Sequence, residues 1–165
     1  MQYAKVNRKA ARAVYACVVL VAVTFMGIAA VAKSTGSVFN ISASMPSAVY
    51  QAGHGQLGTI ARVCAPIPNR NLQRGFCPDG SMPLLKRVVA IHGDSVNVTD
   101  AGVLINGRPL PDSKPSIAGS HGQLLPKLRG TFVVRDGEVW LSGEHINSFD
   151  SRYFGAVALT SLIGN

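Results

Sequence analysis

The stretch "LLKRVVAIHGDSV", residues 84–96, carries the features from which the fold of this 165-residue chain is predicted. Its first half is a short run of aliphatic residues typical of a buried strand, and the "SVNV" that begins at its end alternates as a half-buried strand does. Lys86 stands inside the apolar run. A lysine at the start of such a strand either keeps its ammonium group in solvent or faces the interior. The strand pattern alone leaves both interpretations open.

Two further stretches indicate strands. "GVLING", residues 102–107, ends in Asn-Gly, a strong turn pair, and in "TFVVRDGEVWL", residues 131–141, two β-prone runs meet at Asp136-Gly137, the pattern of a two-residue hairpin. Helical periodicity beyond residue 33 is poor, and residues 113–129 are expected to form a long irregular surface segment. The sequence therefore predicts a mostly β domain of twisted antiparallel sheets.

The N-terminal part has a different character. Residues 13–32, "AVYACVVLVAVTFMGIAAVA", are uncharged and about as long as a helix must be to cross a bilayer. The four basic residues before this run favour a cytoplasmic N-terminus, with all that follows across the membrane. The alternative is a signal peptide cleaved after Ala32, at an Ala-Val-Ala pattern. We expect a cytoplasmic tip and transmembrane anchor at 1–33 and a domain at 34–165, which in a bacterium lies on the periplasmic face of the inner membrane.

The net charge of +8 is unevenly distributed. Residues 1–33 contain five Lys and Arg and no acid, which leaves eleven basic against eight acidic residues in the rest of the chain. No cluster of Lys and Arg with interleaved aromatics is found there. The composition therefore does not favour direct nucleic-acid binding.

Two of the three cysteines, Cys64 and Cys77, fall in the expected periplasmic domain, where the compartment permits a disulfide. A disulfide and free thiols both remain open. A metal site combining them with His54 or His92 lacks the close ligand spacing that such sites show. We expect neither a metal nor a cofactor.

The residues that could carry chemistry are Ser44, shortly after the apolar run, and Lys86. If Lys86 faces the interior, desolvation lowers the pKa of its amine, and a neutral amine is a competent base at neutral pH. Such a base can activate a serine hydroxyl for attack on a carbonyl. Sequence spacing does not establish that the two residues meet.

Four stretches provide a more specific indication. "SASMP" (42–46), "LLKRVVAIHGDSV" (84–96), "INGRPL" (105–110) and "FDSRYFG" (149–155), in this order after a membrane segment, resemble the successive boxes of the type I signal peptidase family. The resemblance implies a serine endopeptidase in which Ser44 is the nucleophile and Lys86 the general base.

The resemblance also implies supporting roles. The Ser42 hydroxyl and the Ser44 backbone N–H correspond to the oxyanion hole, and Asp150 and Arg152 belong to the box near the active site. We expect Asp150 to order Lys86 or Arg87 by hydrogen bonds or a salt bridge; a buried pair that only braces the fold is the alternative.

One departure raises a second mechanism. "GHGQLGTIARV", residues 53–63, lacks the Gly-Asp pair that the family carries there, and its His54 raises the alternative of a Ser-His mechanism. The intact lysine box disfavours that alternative.

Within the family the chain is similar to the plasmid-transfer, TraF-type branch, because it is compact, has a cysteine pair before "PLLKRV" and lacks a large insertion before "FDSRYFG". This implies a membrane-anchored pilin precursor as substrate, trimmed at its C-terminus and joined into a ring, with other components of the mating-pair apparatus as further partners. A general leader peptidase and a non-catalytic assembly factor of a conjugative secretion channel are the alternatives. The residues themselves do not decide between hydrolysis and cyclisation.

Overall fold

The computed structural model describes residues 8–34, 36–40, 45–65, 75, 77–119 and 122–163, in two units, Met1–Ser37 and Val38–Asn165. In the first unit, helix α1 spans Arg8–Ser34. Its section Ala10–Ala32 is, within the described residues, the one helix long and apolar enough to cross a membrane. At 1.5 Å per residue this section is about 35 Å long, which exceeds the hydrocarbon thickness of a bilayer. The length and composition that the sequence indicated are therefore present as one continuous helix.

The rest of the described chain is mostly strand. The strands are β1 (Ser37–Phe39), β2 (Val49–Gln51), β3 (Ile60–Val63), β4 (Leu84–Ala90), β5 (Ser95–Val98), β6 (Val103–Ile105), β7 (Arg108–Pro109), β8 (Gly130–Val133), β9 (Glu138–Ser142), β10 (Val157–Ala158) and β11 (Leu162–Ile163). A short helix α2, Ser151–Phe154, lies between β9 and β10. The strands form a five-stranded sheet β10-β9-β4-β3-β11, a four-stranded sheet β7-β6-β5-β8 and the pair β1-β2. Every neighbouring pair in the two larger sheets is antiparallel, which confirms the predicted fold class.

Strand β4 is the middle strand of the five-stranded sheet. It pairs with β3 on one side and with β9 on the other, so its backbone hydrogen bonds are made within the sheet. Its aliphatic residues Leu85, Val88 and Ala90 are buried and Leu84 and Val89 are half-buried, as the continuous apolar run predicts for a strand with both faces covered. Alternation along the strand places Lys86 and Val88 on one face and Leu85 and Arg87 on the other.

A β-bulge in β4 divides the apolar interior into two clusters. Val88 pairs with Leu141, but Ala90 pairs with Trp140, so Val89 is an extra residue. In a regular strand Val88 and Ala90, two residues apart, would share a face. Because of the bulge, Val88 and Leu141 join one buried cluster while Ala90 and Trp140 join another.

Two sequence predictions about loops are confirmed. Asn106 and Gly107 both have positive φ, 50° and 79°, and they join β6 to β7 as the two-residue turn expected for Asn-Gly. The described part of the segment 113–129 contains no helix or strand, apart from an isolated bridge between Ala118 and Leu124.

The predicted hairpin at Asp136-Gly137 is wrong. A turn is present, with the Glu138 N–H donating to the Arg135 carbonyl, but β8 pairs with β5 while β9 pairs with β4 and β10. The turn therefore passes the chain from one sheet to the other. These distant pairings bury both faces of β9, whereas a local hairpin would cover its backbone but leave apolar faces in water.

After α1, residues 37–39 form β1, which pairs with β2. Further along, Cys64, just after β3, and Cys77, before β4, are joined by a disulfide with a sequence separation of 13. The disulfide closes the connection between β3 and β4, the strand that carries Lys86.

We predict that replacing both cysteines, Cys64→Ser with Cys77→Ser, lowers the free energy of unfolding by about 3 kcal/mol, the value expected for a loop of this length. Urea unfolding in detergent, followed by near-ultraviolet circular dichroism, measures the change, and reduction of the wild type should reproduce it. Cys17→Ser is the matched control, since Cys17 is unpaired in α1. Equal stability of the double variant and the wild type would contradict a stabilising disulfide.

Candidate active site

The predicted nucleophile Ser44 and its neighbour Ser42 lie outside the described residues, so their roles stay predictions. Hydrogen bonds hold the described chain on either side of these two residues in place. The Asn40 side-chain amide donates to the Met45 carbonyl at 2.7 Å, and the Asn40 N–H donates to the Ala48 carbonyl at 2.8 Å. Met45 is buried against Ile60 and Leu85. Its side chain thus packs inside the β-rich unit.

Lys86, the predicted base, faces the interior. Only 2% of the residue is exposed, and its partner across the ladder with β3 is Ala61, a member of the first apolar cluster. Burial lowers the pKa of its amine from 10.5 to about 8, against an opposing effect of the Asp150 charge and with a small further lowering by Arg152. Of the two interpretations left open by the strand pattern, the structure supports the buried one.

This pKa has a cost in stability. The folded state disfavours the ammonium form that the unfolded chain keeps up to pH 10.5, so Lys86 destabilises the fold by roughly 3 kcal/mol below pH 8. The destabilisation is relieved as the pH rises from about 8 to 10.5, because the unfolded chain then also loses the proton. A lysine at this position lowers the stability of the fold, and the fold alone does not require a lysine there.

Asp150 and Arg152 form a fully buried ion pair next to this lysine. Arg152 Nε and Nη2 donate to the two carboxylate oxygens at 2.8 and 2.7 Å. Asp150 also accepts the Arg152 N–H, which caps α2, and the Gly143 N–H at 2.9 Å. Burial by itself lowers the pKa of Arg152, but the hydrogen bonds and charge of Asp150 outweigh it and raise the pKa above its usual value. The guanidinium therefore stays charged.

Arg152 also ties together backbone segments. Its Nη1 donates to the carbonyls of Asp112, Lys114 and Ile146, at 3.1, 3.3 and 3.0 Å. Asp112 and Lys114 lie on either side of the first residue of the long irregular segment, and Ile146 lies in the turn between β9 and α2. Because its donors are satisfied, the buried charge is compensated rather than orphaned.

Arg87 has a different partner from the one expected. It pairs with Glu144, with Nε 2.7 Å from Oε1, and its Nη1 donates to the Gly58 carbonyl at 2.8 Å. The expectation that Asp150 orders Arg87 is therefore corrected: alternation along β4 turns Arg87 away from the face that holds Lys86. Asp150 acts on Lys86 through its charge.

Ser148 was missed in the sequence. Its hydroxyl is, among the described residues, the one buried side-chain polar atom without a hydrogen-bond partner. An unpaired buried hydroxyl is costly, and Ser148 lies close in sequence to the buried Asp150–Arg152 pair. Its position two residues before Asp150 is the signal that could have identified it.

The remaining candidates are placed as follows. His54 is exposed in the turn that follows β2, in contrast to the buried Lys86. Cys64 and Cys77 are consumed by the disulfide and offer no thiolate to a metal. Within the described residues no group of three His, Cys, Asp or Glu side chains is arranged to hold a metal ion.

We predict that Asp150→Asn lowers the pKa of Lys86 below about 8, because the carboxylate charge that favours the ammonium form is lost while Arg152 remains. Carbon-13 NMR titration of the lysine side chains measures this directly, with Trp140 fluorescence as the check on folding. Glu144→Gln is the matched control, since Glu144 pairs with Arg87 and should leave the Lys86 titration unchanged. An unchanged or raised pKa in Asp150→Asn would contradict the electrostatic coupling.

Comparison with known proteins places the chain in a family. The family model "Signal peptidase, peptidase S26" matches residues 7–165. A plasmid transfer protein TraF from Escherichia coli is 32% identical over 148 residues, which are 82% of this chain and 84% of that protein. A probable signal peptidase I from Mycobacterium leprae is 36% identical over 86 residues, 48% of this chain and 30% of that protein.

Among solved structures, a signal peptidase I from Enterococcus faecalis gives a TM-score of 0.35 at 24% identity and covers 64% of this chain and 90% of that one. That likeness is too weak to support an argument. The family model and the TraF relative, by contrast, each extend over most of the chain. On these two matches, the chain belongs to the signal peptidase S26 family and is related within it to the plasmid transfer proteins TraF.

Proposed function

We propose that this protein is a membrane-anchored Ser–Lys peptidase that matures a pilin precursor for conjugative transfer. The observation that carries the proposal is the buried Lys86 with a pKa of about 8, in a chain of the signal peptidase family. An ordinary surface lysine is protonated at neutral pH and cannot act as a base. The lowered pKa supplies a neutral amine in a useful fraction of molecules.

In the proposed mechanism the neutral Lys86 amine takes the proton of the Ser44 hydroxyl, and the serine oxygen attacks the scissile carbonyl. The Ser44 N–H and the Ser42 hydroxyl donate to the oxyanion that forms. Protonated Lys86 then gives its proton to the leaving amine, which leaves an acyl-enzyme. Asp150 and Arg152 keep the surrounding loops in place, and their charges act on the Lys86 pKa in opposite directions.

The acyl-enzyme can be opened in two ways. Water gives plain cleavage, and an amine held at the same carbonyl gives a new peptide bond, so the outcome depends on which nucleophile the site positions. Relationship to plasmid transfer proteins supports a substrate in the conjugation apparatus. On that basis we propose that the amine is the N-terminus of the pilin itself and that the product is a ring.

The proposed location follows from the helix and the charges. Helix α1 is taken as the anchor, with its basic flank in the cytoplasm and the β-rich unit in the periplasm of the inner membrane. The periplasm also permits the Cys64–Cys77 disulfide. A pilin precursor in the same bilayer would meet the peptidase there, beside other components of the mating-pair apparatus.

A general leader peptidase is the second candidate. The 36% identity to a probable signal peptidase I, which spans 48% of this chain, favours it. The two candidates differ in substrate and not in chemistry. Cleavage of a secretory preprotein, with the pilin precursor left intact, would decide for the leader peptidase.

We predict that Ser44→Ala and Lys86→Ala each reduce processing of the pilin precursor by about 10⁴-fold or more, because nucleophile and base act as a unit. Processing is measured with the full chain and a co-reconstituted precursor. Ser47→Ala and His54→Ala are the controls and should retain activity; loss in His54→Ala would favour the Ser-His alternative. Conjugation and processing that survive in Ser44→Ala would indicate a non-catalytic assembly factor.

Mass spectrometry of the mature pilin distinguishes the two outcomes of the acyl-enzyme. We expect the mass of the trimmed chain less one water, because ring closure forms a peptide bond without a free carboxyl end. A product with the full mass of the trimmed chain would mean hydrolysis and would remove the cyclisation step while leaving the peptidase assignment in place.

We also predict an acid limb in the pH profile of kcat/KM with an apparent pKa near 8, since only the neutral Lys86 amine is active. Below this pH the rate should fall about tenfold per pH unit. Rates of precursor cleavage from pH 6 to 10, roughly the range spanning this limb, provide the measurement. A profile that is flat through pH 8 would exclude Lys86 as the base.

A further inference from the structure

Residues 114–119 and 122–129 form a surface feature, here termed the apolar-basic loop, that the peptidase chemistry does not use. Ile117 and Leu124 in this loop are 82% and 75% exposed, more than any other large hydrophobic residue described outside α1. Single exposed aliphatic residues are common, but two on one loop indicate a contact surface.

The loop has a fixed base. The Ser116 N–H donates to the hydroxyl of buried Tyr153 at 2.9 Å, and buried Arg152 donates to the Lys114 carbonyl. Higher up, the Leu125 N–H donates to the Ile117 carbonyl at 3.0 Å. The exposed aliphatic side chains are therefore presented on a supported backbone.

Both faces of the loop are apolar. Ala118 and Leu124 are opposite each other in the antiparallel bridge, so they share one face, while Ile117 and Leu125 lie on the other. A flat protein surface would cover only one of these faces. An occupant that surrounds the loop, such as the fluid boundary of a bilayer, would cover both.

The base of the loop is positively charged. A cleft of about 460 Å³ lies beside it. Its charged and apolar walls include Lys114, Lys127, Arg129, Asp100, Ile117 and Leu125. Arg129 is paired with Asp100 at 2.8 Å, while Lys114 and Lys127 are exposed; Asp112, also exposed, precedes Lys114 by two residues. Three cations against one acid in the cleft complement the phosphates of anionic lipids.

We propose that the apolar-basic loop inserts Ile117 and Leu124 into the interfacial region of a bilayer that contains anionic lipid, with Lys114 and Lys127 against the lipid phosphates. The β-rich unit then has a membrane contact of its own in addition to α1. The inference rests on the membrane anchoring in the proposed function and is independent of the peptidase chemistry.

The test uses the full chain with a tryptophan in the loop, Leu124→Trp, reconstituted into phosphatidylcholine vesicles with or without phosphatidylglycerol. Lipids brominated on their acyl chains quench only tryptophans that enter the bilayer. The native Trp140 is 1% exposed and provides a constant background, measured in the wild type. Val133→Trp is the matched control, since Val133 is 62% exposed on β8, outside the loop.

We expect strong quenching of Leu124→Trp in vesicles that contain phosphatidylglycerol and little quenching of Val133→Trp. Adding Lys114→Gln and Lys127→Gln should reduce the ratio of inserted to free loop by about fivefold for each lysine removed. Equal quenching of the two tryptophans, no effect of anionic lipid, or no effect of the lysines would each overturn the proposal. Quenching that persists in Ser44→Ala separates this result from the fate of the peptidase assignment.

Discussion

The desolvation of one lysine on a central strand is the constraint on which the site depends. Lys86 can be buried only because β4 has a neighbour on each side, so that the strand backbone is satisfied and the side chain is directed into the sheet's apolar face. The charge of the nearby Asp150 carboxylate opposes this lowering of the pKa, and the charge of its partner Arg152 acts against that of Asp150. Desolvation remains the largest influence on the Lys86 pKa.

The same ion pair determines how the loops are arranged. Asp150 holds Gly143 at the end of β9, and Arg152 reaches the carbonyls of three residues from two separate segments. A pair that is costly to bury is thus used as a structural tie close to the candidate base. Residues beside the candidate base can therefore be important for the fold without contacting a substrate.

Local features could be predicted from the sequence, and long-range ones could not. The apolar run of β4 and the Asn106-Gly107 turn depend on neighbouring residues, and both were predicted correctly. The hairpin at Asp136-Gly137 was wrong because β9 gains more burial from β4 and β10 than from the adjacent β8.

The ion-pair partners at the candidate site could not be predicted from the sequence either. Arg87 pairs with Glu144, 57 residues away, and no local pattern distinguishes this from a pairing with Asp150. Ser148 resembles any loop serine until its burial is known. The role of Ser44 continues to rest on the match of its box to the family.

The bulge at Val89 has a consequence for how the protein can change over evolutionary time. Because of the bulge, residues of one continuous strand contribute to two apolar clusters that share no buried residue. A substitution at Trp140 therefore changes the packing of the cluster that holds Ala90 directly, and it reaches the cluster that holds Val88 only through the backbone that β4 and β9 share. Over evolutionary time the two clusters can accept different side chains, provided that the backbone at the bulge is kept.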